Sequence, residues 1–321
     1  MPRPRRNAPA RPAPRRTSSP AASTVAFQGE RGAFSELAAA ALWPEAEPVP
    51  LRGNADVVRA VAGGVVDAGV LAIENTLAGT VTDTDDALLR VGGTLIVSET
   101  IVPIHHCVLG VRGATLRDVR FVESHPVALE QCRGFFEQHG QLAPRAAYDT
   151  AGAARDVAAA LDPSRAALAG RHAAARYGLT VLARNVEDRR DNQTRFIGIT
   201  REAARPVPGA MHKTSLAITV DDEPGALLQL LQPLVAAGLS LTRLSARPTG
   251  EPWEYVFVLD VAHDHADERL SRALERIAGR CRRCTVLGTF PSASRLPRRS
   301  RTAASRTAAS RTSGVVEMAG S

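Results

Sequence analysis

Cysteines and long apolar runs are scarce in this sequence of 321 residues. Four cysteines are too few for a disulfide scaffold, so we expect a reducing, cytoplasmic environment. Cys281 and Cys284 have CxxC spacing, but one such pair without a second is a poor zinc site. No apolar run approaches the roughly 20 residues that a membrane-spanning helix needs, so we expect no membrane partner.

Acidic residues are missing from residues 1–22, which hold six arginines, and residues 291–321 hold six arginines against Glu317. The two ends therefore carry +6 and +5, and the formal net charge of +7 leaves −4 for the residues between them. A nucleic-acid-binding protein carries its basic patch on the folded part, so we predict no nucleic-acid partner. Both ends are also poor in large apolar side chains. We predict a disordered Arg/Pro-rich arm over 1–22 and a disordered low-complexity tail over 291–321.

The most informative stretch is the polar run 188–195, which ends abruptly in the apolar residues Phe196 to Ile199. This change predicts a strand that enters a core, with Asn192, Thr194 and Arg195 at its start. An amide, a hydroxyl and a guanidinium form a set of directed donors that suits a small anionic molecule. An ordinary polar loop before a core strand is the alternative interpretation.

Helix starts predict two further anion sites. Gly29 and Gly32 permit a tight turn between a strand and a helix over 34–42, and Ser35 is either a ligand donor or a first-turn cap. Ser124 ends a strand before a helix predicted over 127–139, in which Gln131 lies one to two turns in. Thr150 is predicted to cap a helix that follows.

The apolar run 70–73 predicts a strand covered on both faces, with Asn75 at its carboxyl end. Ligands of open α/β sheets gather at that end of the strands. His105 and His106 are adjacent, and adjacent side chains of a strand point to opposite faces, so we predict no metal site there. The stretch that contains them is expected to cross into a second lobe.

Alternating strands and helices predict an α/β fold in which two lobes flank a cleft, over residues 23–202. Residues 203–212 are rich in Pro, Ala and Gly and are predicted to be a linker. Residues 213–290 carry a βαββαβ pattern, which predicts a ferredoxin-like domain.

Five motifs resemble those of prephenate dehydratases, in the order that this family has them. They are the stretches 29–36 (GERGAFSE), 73–76 (IENT), 124–126 (SHP) with Gln131 and Cys132, 192–196 (NQTRF) and 225–227 (GAL). The resemblance covers about 25–290. It implies a two-lobed catalytic domain with the fold of periplasmic binding proteins, followed by an ACT regulatory domain.

The resemblance also implies roles for individual residues. Thr194 matches the family's essential threonine and is expected to hydrogen-bond to the departing hydroxyl of prephenate. The family's cleft positions are matched by Asn75, Thr76, Ser124, Gln131 and Thr150, and Ser35 is a further candidate for substrate binding. Arg195 is expected either to hold a substrate carboxylate or to form a salt bridge at the strand start. No cofactor is implied.

The regulatory part departs from the family, because residues 245–248 read Ser-Ala-Arg-Pro where Glu-Ser-Arg-Pro is usual. We expect phenylalanine as an effector that binds at Gly225, Ala226 and Leu227, with weakened or altered coupling. Arg247 is also predicted to belong to the allosteric site. A homodimer or homotetramer is expected. The alternatives are an arogenate dehydratase, a prephenate decarboxylase, which lacks the Thr-Arg-Phe arrangement, and a non-catalytic sensor of small molecules.

Overall fold

The first lobe is built around a mixed sheet. The computed structural model describes residues 19–264 and 267–293, so the predicted arm and tail lie largely outside the described residues. Residues 24–103 supply five strands: β1 (Thr24–Gln28), β2 (Glu47–Leu51), β3 (Ala68–Asn75), β4 (Gly79–Thr80) and β5 (Leu95–Pro103). Three helices connect them: α1 (Phe34–Leu42), α2 (Asn54–Ala62) and α3 (Thr82–Val91).

Strand β3 is buried on both faces, as its apolar run predicts. Val70 packs with Phe27 in one core cluster, and Leu71 and Ile73 pack in a second cluster. This split follows from the alternation of side chains along a strand. Strands β1, β2 and β3 run parallel, so their carboxyl ends share one edge of the sheet.

The second lobe has its own sheet in the order β10-β6-β9-β7-β8. Its strands are β6 (Cys107–Gly110), β7 (Phe121–Ser124), β8 (Ala143–Ala146), β9 (Arg165–Ala169) and β10 (Thr180–Arg184). Its helices are α4 (Pro126–Glu130), α5 (Arg133–Gln138), α6 (Thr150–Ala160) and α7 (Arg171–Tyr177). The single helix predicted over 127–139 is wrong, because the chain breaks into α4 and α5 at Gln131 and Cys132.

The chain then returns to the first lobe as β11 (Gln193–Thr200), which lies between β3 and β5 and runs antiparallel to both. The sheet order is therefore β2-β1-β3-β11-β5. The two lobes are joined by the segments before β6 and after β10. This arrangement confirms the predicted two-lobed α/β architecture.

The remaining residues form a four-stranded sheet in the order β13-β14-β12-β15. Its elements follow one another as β12 (Met211–Thr219), α8 (Ala226–Ala236), β13 (Ser240–Pro248), β14 (Tyr255–Asp264), α9 (Glu268–Ala278) and β15 (Arg283–Pro291). This is the predicted βαββαβ order. Strand β15 packs closely on the first lobe: a Cβ atom at Gly288 would lie 2.2 Å from the Ile96 carbonyl oxygen.

Candidate active site

Thr194 and Asn75 lie side by side at the edge where β3 ends and β11 begins. They are paired in the β3–β11 ladder, and Thr194 is 8% exposed. The Asn75 Nδ2 atom donates a hydrogen bond to Thr194 Oγ1 over 2.9 Å. Because Oγ1 accepts this bond, the hydroxyl proton of Thr194 stays available to a further acceptor.

Asn75 is held by protein groups on both sides of its amide. Its Oδ1 atom accepts from the backbone N–H groups of Leu77 and Ala78, at 2.9 and 2.8 Å. Its Nδ2 atom also donates to Asn192 Oδ1 over 2.8 Å. These contacts fix which end of the amide faces Thr194, so Asn75 orients the Thr194 hydroxyl in this structure. A contact from Asn75 to the substrate stays a prediction.

Gln131 and His106 extend this network into the second lobe. Gln131 Oε1 accepts from Asn192 Nδ2 over 2.9 Å and lies 3.2 Å from His106 Nε2. Gln131 also borders a cavity of about 630 Å³. With its oxygen occupied, Gln131 presents its Nε2 donors, which bond to no other described residue, as candidates for a ligand in this cavity.

His106 is buried, and desolvation lowers its pKa, although its contact with Gln131 opposes this. A neutral ring that donates from Nε2 to Gln131 keeps its proton there. Its Nδ1 atom then carries a lone pair, and it has no hydrogen-bond partner within residues 19–264 and 267–293. The Phe34 ring packs edge-on against His106 with centroids 5.8 Å apart.

Thr76 connects the ends of the same two strands. Its backbone N–H donates to the Gln193 carbonyl over 2.9 Å, and the N–H of Gln193 donates to Thr76 Oγ1 over 3.0 Å. The side chain is exposed. Thr76 therefore lies beside the Asn75–Thr194 pair, and its contact with substrate remains a prediction.

The other predicted donors lie outside this network. Ser124 is fully buried, and its hydroxyl donates to the Leu168 carbonyl over 2.6 Å. Ser35 donates to the Gln28 carbonyl over 2.5 Å, which ties α1 to β1. Thr150 is the first residue of α6, and the predicted cap is wrong because Asp149 is the N-cap, accepting from Gly152 N over 2.8 Å.

A carboxylate of the second lobe covers the Gly29 turn that was predicted to bind an anion. A Cβ atom at Gly29 would lie 2.9 Å from Asp149 Oδ2, and the backbone of Glu30 hydrogen-bonds to Asp149. The Glu30 carboxylate in turn accepts from the Tyr148 hydroxyl and from Arg155, at 2.5 and 2.7 Å. These contacts join the two lobes along this rim.

Arg195 points away from Asn75. Its guanidinium lies 3.0 Å from Glu99 Oε2 and 2.8 Å from Asp260 Oδ2, and only 9% of the residue is exposed. Burial lowers the pKa of this guanidinium, but Asp260 and Glu99 outweigh that effect and raise it. The structure therefore shows the salt-bridge alternative for Arg195 and not the carboxylate anchor.

Arg52 offers a cation at the edge of the sheet where the parallel strands end. It follows β2, is exposed and borders a cavity of about 330 Å³ with Glu30 and Tyr148. It forms no ion pair with any described residue. The carboxyl ends of β1, β2 and β3 share this edge, so Arg52 lies on the same side of the sheet as Asn75.

Two histidines that drew attention in the sequence have protein partners. His105 Nδ1 lies 2.8 Å from Glu187 Oε1, and His106 contacts Gln131. Across the described residues, no group of three or more His, Cys, Asp and Glu side chains has the arrangement of a metal site. No helix in these residues is long and apolar enough to cross a bilayer.

The predicted effector loop borders a cavity of about 490 Å³ in the four-stranded domain. Gly225 adopts φ +85° as the N-cap of α8, and Ala226 and Leu227 line the cavity with Trp253. Arg247, which the sequence placed in the allosteric set, forms two hydrogen bonds with Asp86 of α3, at 2.8 and 2.9 Å. In this structure Arg247 therefore joins the two domains, and it does not line this cavity.

Comparison with known proteins identifies the family that these features suggest. A family model described as prephenate dehydratase matches residues 25–204, and an ACT domain model matches residues 214–279. The chain belongs to the prephenate dehydratase family. The predicted ACT domain is thereby confirmed.

Several relatives of this family are similar to the chain over most of its length. A bifunctional N-acyl-homoserine lactone acylase/prephenate dehydratase of Komagataeibacter europaeus is 39% identical, covering 84% of this chain and 96% of its own. An arogenate dehydratase/prephenate dehydratase of Arabidopsis thaliana is 35% identical, over 83% and 72%. A bifunctional chorismate mutase/prephenate dehydratase of Enterobacter agglomerans is 35% identical, over 86% and 72%.

Solved structures agree with this assignment. A prephenate dehydratase of Arthrobacter aurescens in complex with L-Phe superimposes with a TM-score of 0.78 at 30% identity, covering 84% of this chain and 90% of the other. A structure described as GqqA, a novel type of quorum quenching acylase, gives 0.76 at 36% identity, over 84% and 98%. The relatives thus carry names for more than one activity.

The sequence pattern predicted Asn192 as one of three directed donors at the start of the strand, but not its contact with Gln131, and it indicated no site role for His106 or Asp149. The amide of Asn192 connects Asn75 to Gln131, which lie 117 and 61 residues away from it in the sequence. The signal for Asn192 was its place two residues before Thr194. The contacts of His106 and Asp149 depend on how the lobes meet, which no local pattern encodes.

Proposed function

We propose that this protein is a prephenate dehydratase that converts prephenate to phenylpyruvate in the biosynthesis of phenylalanine. The observation that supports this most directly is the Asn75–Thr194 hydrogen bond, which leaves the hydroxyl proton of Thr194 free for the departing oxygen. Family membership supports the reaction class.

The chemistry requires two bonds of the substrate ring to break. The bond to the ring carboxylate breaks and releases carbon dioxide, its electron pair moves into the ring, and the C4 hydroxyl leaves with a proton as water. The product ring is aromatic, which drives the reaction. Hydroxide is a poor leaving group, so a donor beside that oxygen accelerates the step. Thr194 takes that role in our proposal.

The two carboxylates of prephenate also need partners. Arg195 is occupied by Glu99 and Asp260, so we assign one carboxylate to Arg52. Gln131 supplies amide donors at the cavity of about 630 Å³. Thr76 and Thr150 complete the proposed substrate contacts. Ser124 and Ser35 donate to backbone carbonyls, so we assign them the support of the strands and helices around the cleft.

An assay of the purified chain on prephenate tests this proposal, with phenylpyruvate followed by its ultraviolet absorbance. Arogenate is assayed in parallel, because relatives carry the name arogenate dehydratase, and there phenylalanine is the product. An N-acyl-homoserine lactone is the third substrate, because one relative is named as its acylase. Turnover of arogenate or of the lactone without turnover of prephenate would refute the proposal. Binding without any product would indicate a sensor.

We also propose that L-phenylalanine binds the loop at Gly225, Ala226 and Leu227 and regulates turnover. The support is the ACT domain and the phenylalanine complex of the Arthrobacter aurescens relative. Ser245 and Ala246 replace the usual Glu-Ser, so weak coupling is expected. Titrating phenylalanine during turnover measures it, and strong inhibition at micromolar levels would contradict the weak coupling. Sedimentation measures the proposed homodimer or homotetramer.

A further inference from the structure

Strand β11 carries the candidate catalytic threonine and its neighbour on opposite faces. Thr194 contacts Asn75, whereas Arg195 contacts Asp260 of the ACT domain. Neighbouring side chains of a strand alternate between its two faces, so this division follows from strand geometry. The β3–β11 register shifts directly after Arg195, between Arg195 and Phe196. A β-bulge of this kind redirects the side chains of its strand.

The Arg195 guanidinium lies close to carboxylates from three strands. Asp260 on β14 and Glu99 on β5 accept from its two terminal nitrogens, at 2.8 and 3.0 Å. The Nε atom lies 3.3 Å from Glu74 Oε2 without hydrogen-bond geometry, so this contact is only Coulombic. A guanidinium is a planar fork, and two carboxylates on its two nitrogens fix its orientation.

The same cluster includes Lys213, the only lysine of the sequence. Its Nζ atom lies 2.9 and 3.1 Å from the two oxygens of Glu99, and Ser215 donates to the second oxygen of Asp260. The side chains of Glu99, Asp260 and Lys213 are 0, 3 and 5% exposed. Buried charges without partners are costly, so the contacts with Asp260 and Glu99 stabilise Arg195 in this position.

We propose that Asp260 of the ACT domain is a positioning residue for the reaction at Thr194. Asp260 holds Arg195, Arg195 holds the start of β11, and the start of β11 places the Thr194 hydroxyl. The ACT domain is therefore a structural part of the active site as well as its regulator. This inference rests on the proposed function, since it concerns the same threonine.

A comparison of two interdomain ion pairs tests the proposal. Asp260→Asn weakens the hold on Arg195. Asp86→Asn breaks the Asp86–Arg247 pair, which also joins the two domains. Arg247 lies on β13, so this pair does not contact β11. We expect Asp260→Asn to lower kcat about tenfold or more with little change in KM, because small misplacements of a reacting group are costly. Asp86→Asn should keep the wild-type kcat. Equal kcat values for the two variants would overturn the proposal.

A double-mutant cycle with Arg195→Gln shows whether Asp260 acts through Arg195. If it does, adding Asp260→Asn to Arg195→Gln lowers kcat no further, because the contact is already lost. Removing both charges also avoids an unpaired buried charge, which protects the fold of the double variant. If the fold-losses in kcat of the two single variants multiply in the double variant, Asp260 acts independently of Arg195. That result would overturn the proposal.

Two measurements do not depend on turnover. Hydrogen exchange of the β11 peptide is expected to rise in Asp260→Asn and to stay at the wild-type rate in Asp86→Asn. Reaction of Lys213 with an amine reagent, read by mass spectrometry, reports whether the domains separate. If the wild-type chain fails to turn over prephenate, the proposed function fails, and the β11 exchange alone decides this inference. Unchanged exchange in Asp260→Asn would then overturn it.

Discussion

The Asn75 amide and the Thr194 hydroxyl are joined by a hydrogen bond of 2.9 Å between the end of one strand and the start of its neighbour. The donor in this bond is the amide, because an N–H group has no acceptor capacity. The hydroxyl can therefore still donate. A reaction that must release a hydroxyl group from its substrate needs a donor of this kind in a fixed place.

Thr194→Ala is expected to lower kcat by about a hundredfold or more, because one preorganised donor contributes about 3–4 kcal/mol to a transition state. Thr194→Ser keeps the hydroxyl and should retain much more of the activity than Thr194→Ala. Steady-state kinetics on prephenate measures both, and circular dichroism confirms that the fold survives. Near-normal kcat in Thr194→Ala would remove Thr194 from the mechanism.

Asn75→Ala is expected to lower kcat about fivefold, since the Thr194 hydroxyl loses the bond that orients it and a typical hydrogen bond contributes about 1 kcal/mol. The chain offers a matched control in Asn54, whose Nδ2 atom donates to Thr84 Oγ1 over 3.1 Å in the same lobe. Asn54→Ala removes the same type of contact away from Thr194. It should leave kcat unchanged, and an equal loss in both variants would indicate a general effect on the lobe.

Much of the fold could be predicted because its signals are local. Helix α1 spans Phe34–Leu42, as the pattern after the Gly29 turn predicts. The break between α4 and α5 could not be predicted, because distant residues stabilise it. The Asp188 N–H donates to the Gln131 carbonyl over 2.8 Å, and Asp188 Oδ1 accepts from Gly134 N over 2.9 Å.

The candidate site also contains both contacts that local sequence patterns predict and contacts that they do not. The motif residues Asn75 and Thr194 come together because each stands at the end of a strand in one sheet, which the pattern of apolar runs indicates. Arg195 immediately follows Thr194 in the sequence, yet its partners Glu99 and Asp260 lie 96 and 65 residues away. Its role depends on how the ACT domain docks, and no local pattern contains that information.

Arg52→Gln is expected to raise KM for prephenate about tenfold with a smaller effect on kcat, because a hydrogen bond to a charged group contributes about 1.5–3 kcal/mol. Arg59 on α2 is the matched control, since it is an exposed arginine of the same lobe paired with Asp56 at 2.6 Å. Arg59→Gln should leave KM unchanged. Equal KM values for the two variants would exclude Arg52 as a carboxylate anchor.

The burial of His106 is expected to lower the free energy of unfolding in mild acid. Burial lowers its pKa in the folded state, so below about pH 6.5 the unfolded chain binds a proton that the folded chain does not. The free energy of unfolding therefore decreases as the pH is lowered from about 6.5 to the pKa of His106 in the folded state. Urea unfolding at pH 7 and pH 5 should show this fall, and His106→Gln should reduce it.

Lys213→Met is expected to lower the free energy of unfolding by about 3 kcal/mol, because it removes one partner of a buried ion pair and leaves the Glu99 carboxylate short of a donor. Arg272→Met is the control, since its pair with Glu268 is exposed on both sides and should change stability little. Urea unfolding of both variants at one pH measures the difference. A Lys213→Met chain as stable as the wild type would show that Arg195, Ser292 and the backbone N–H of Ala293, which also reach Glu99, suffice to stabilise this carboxylate.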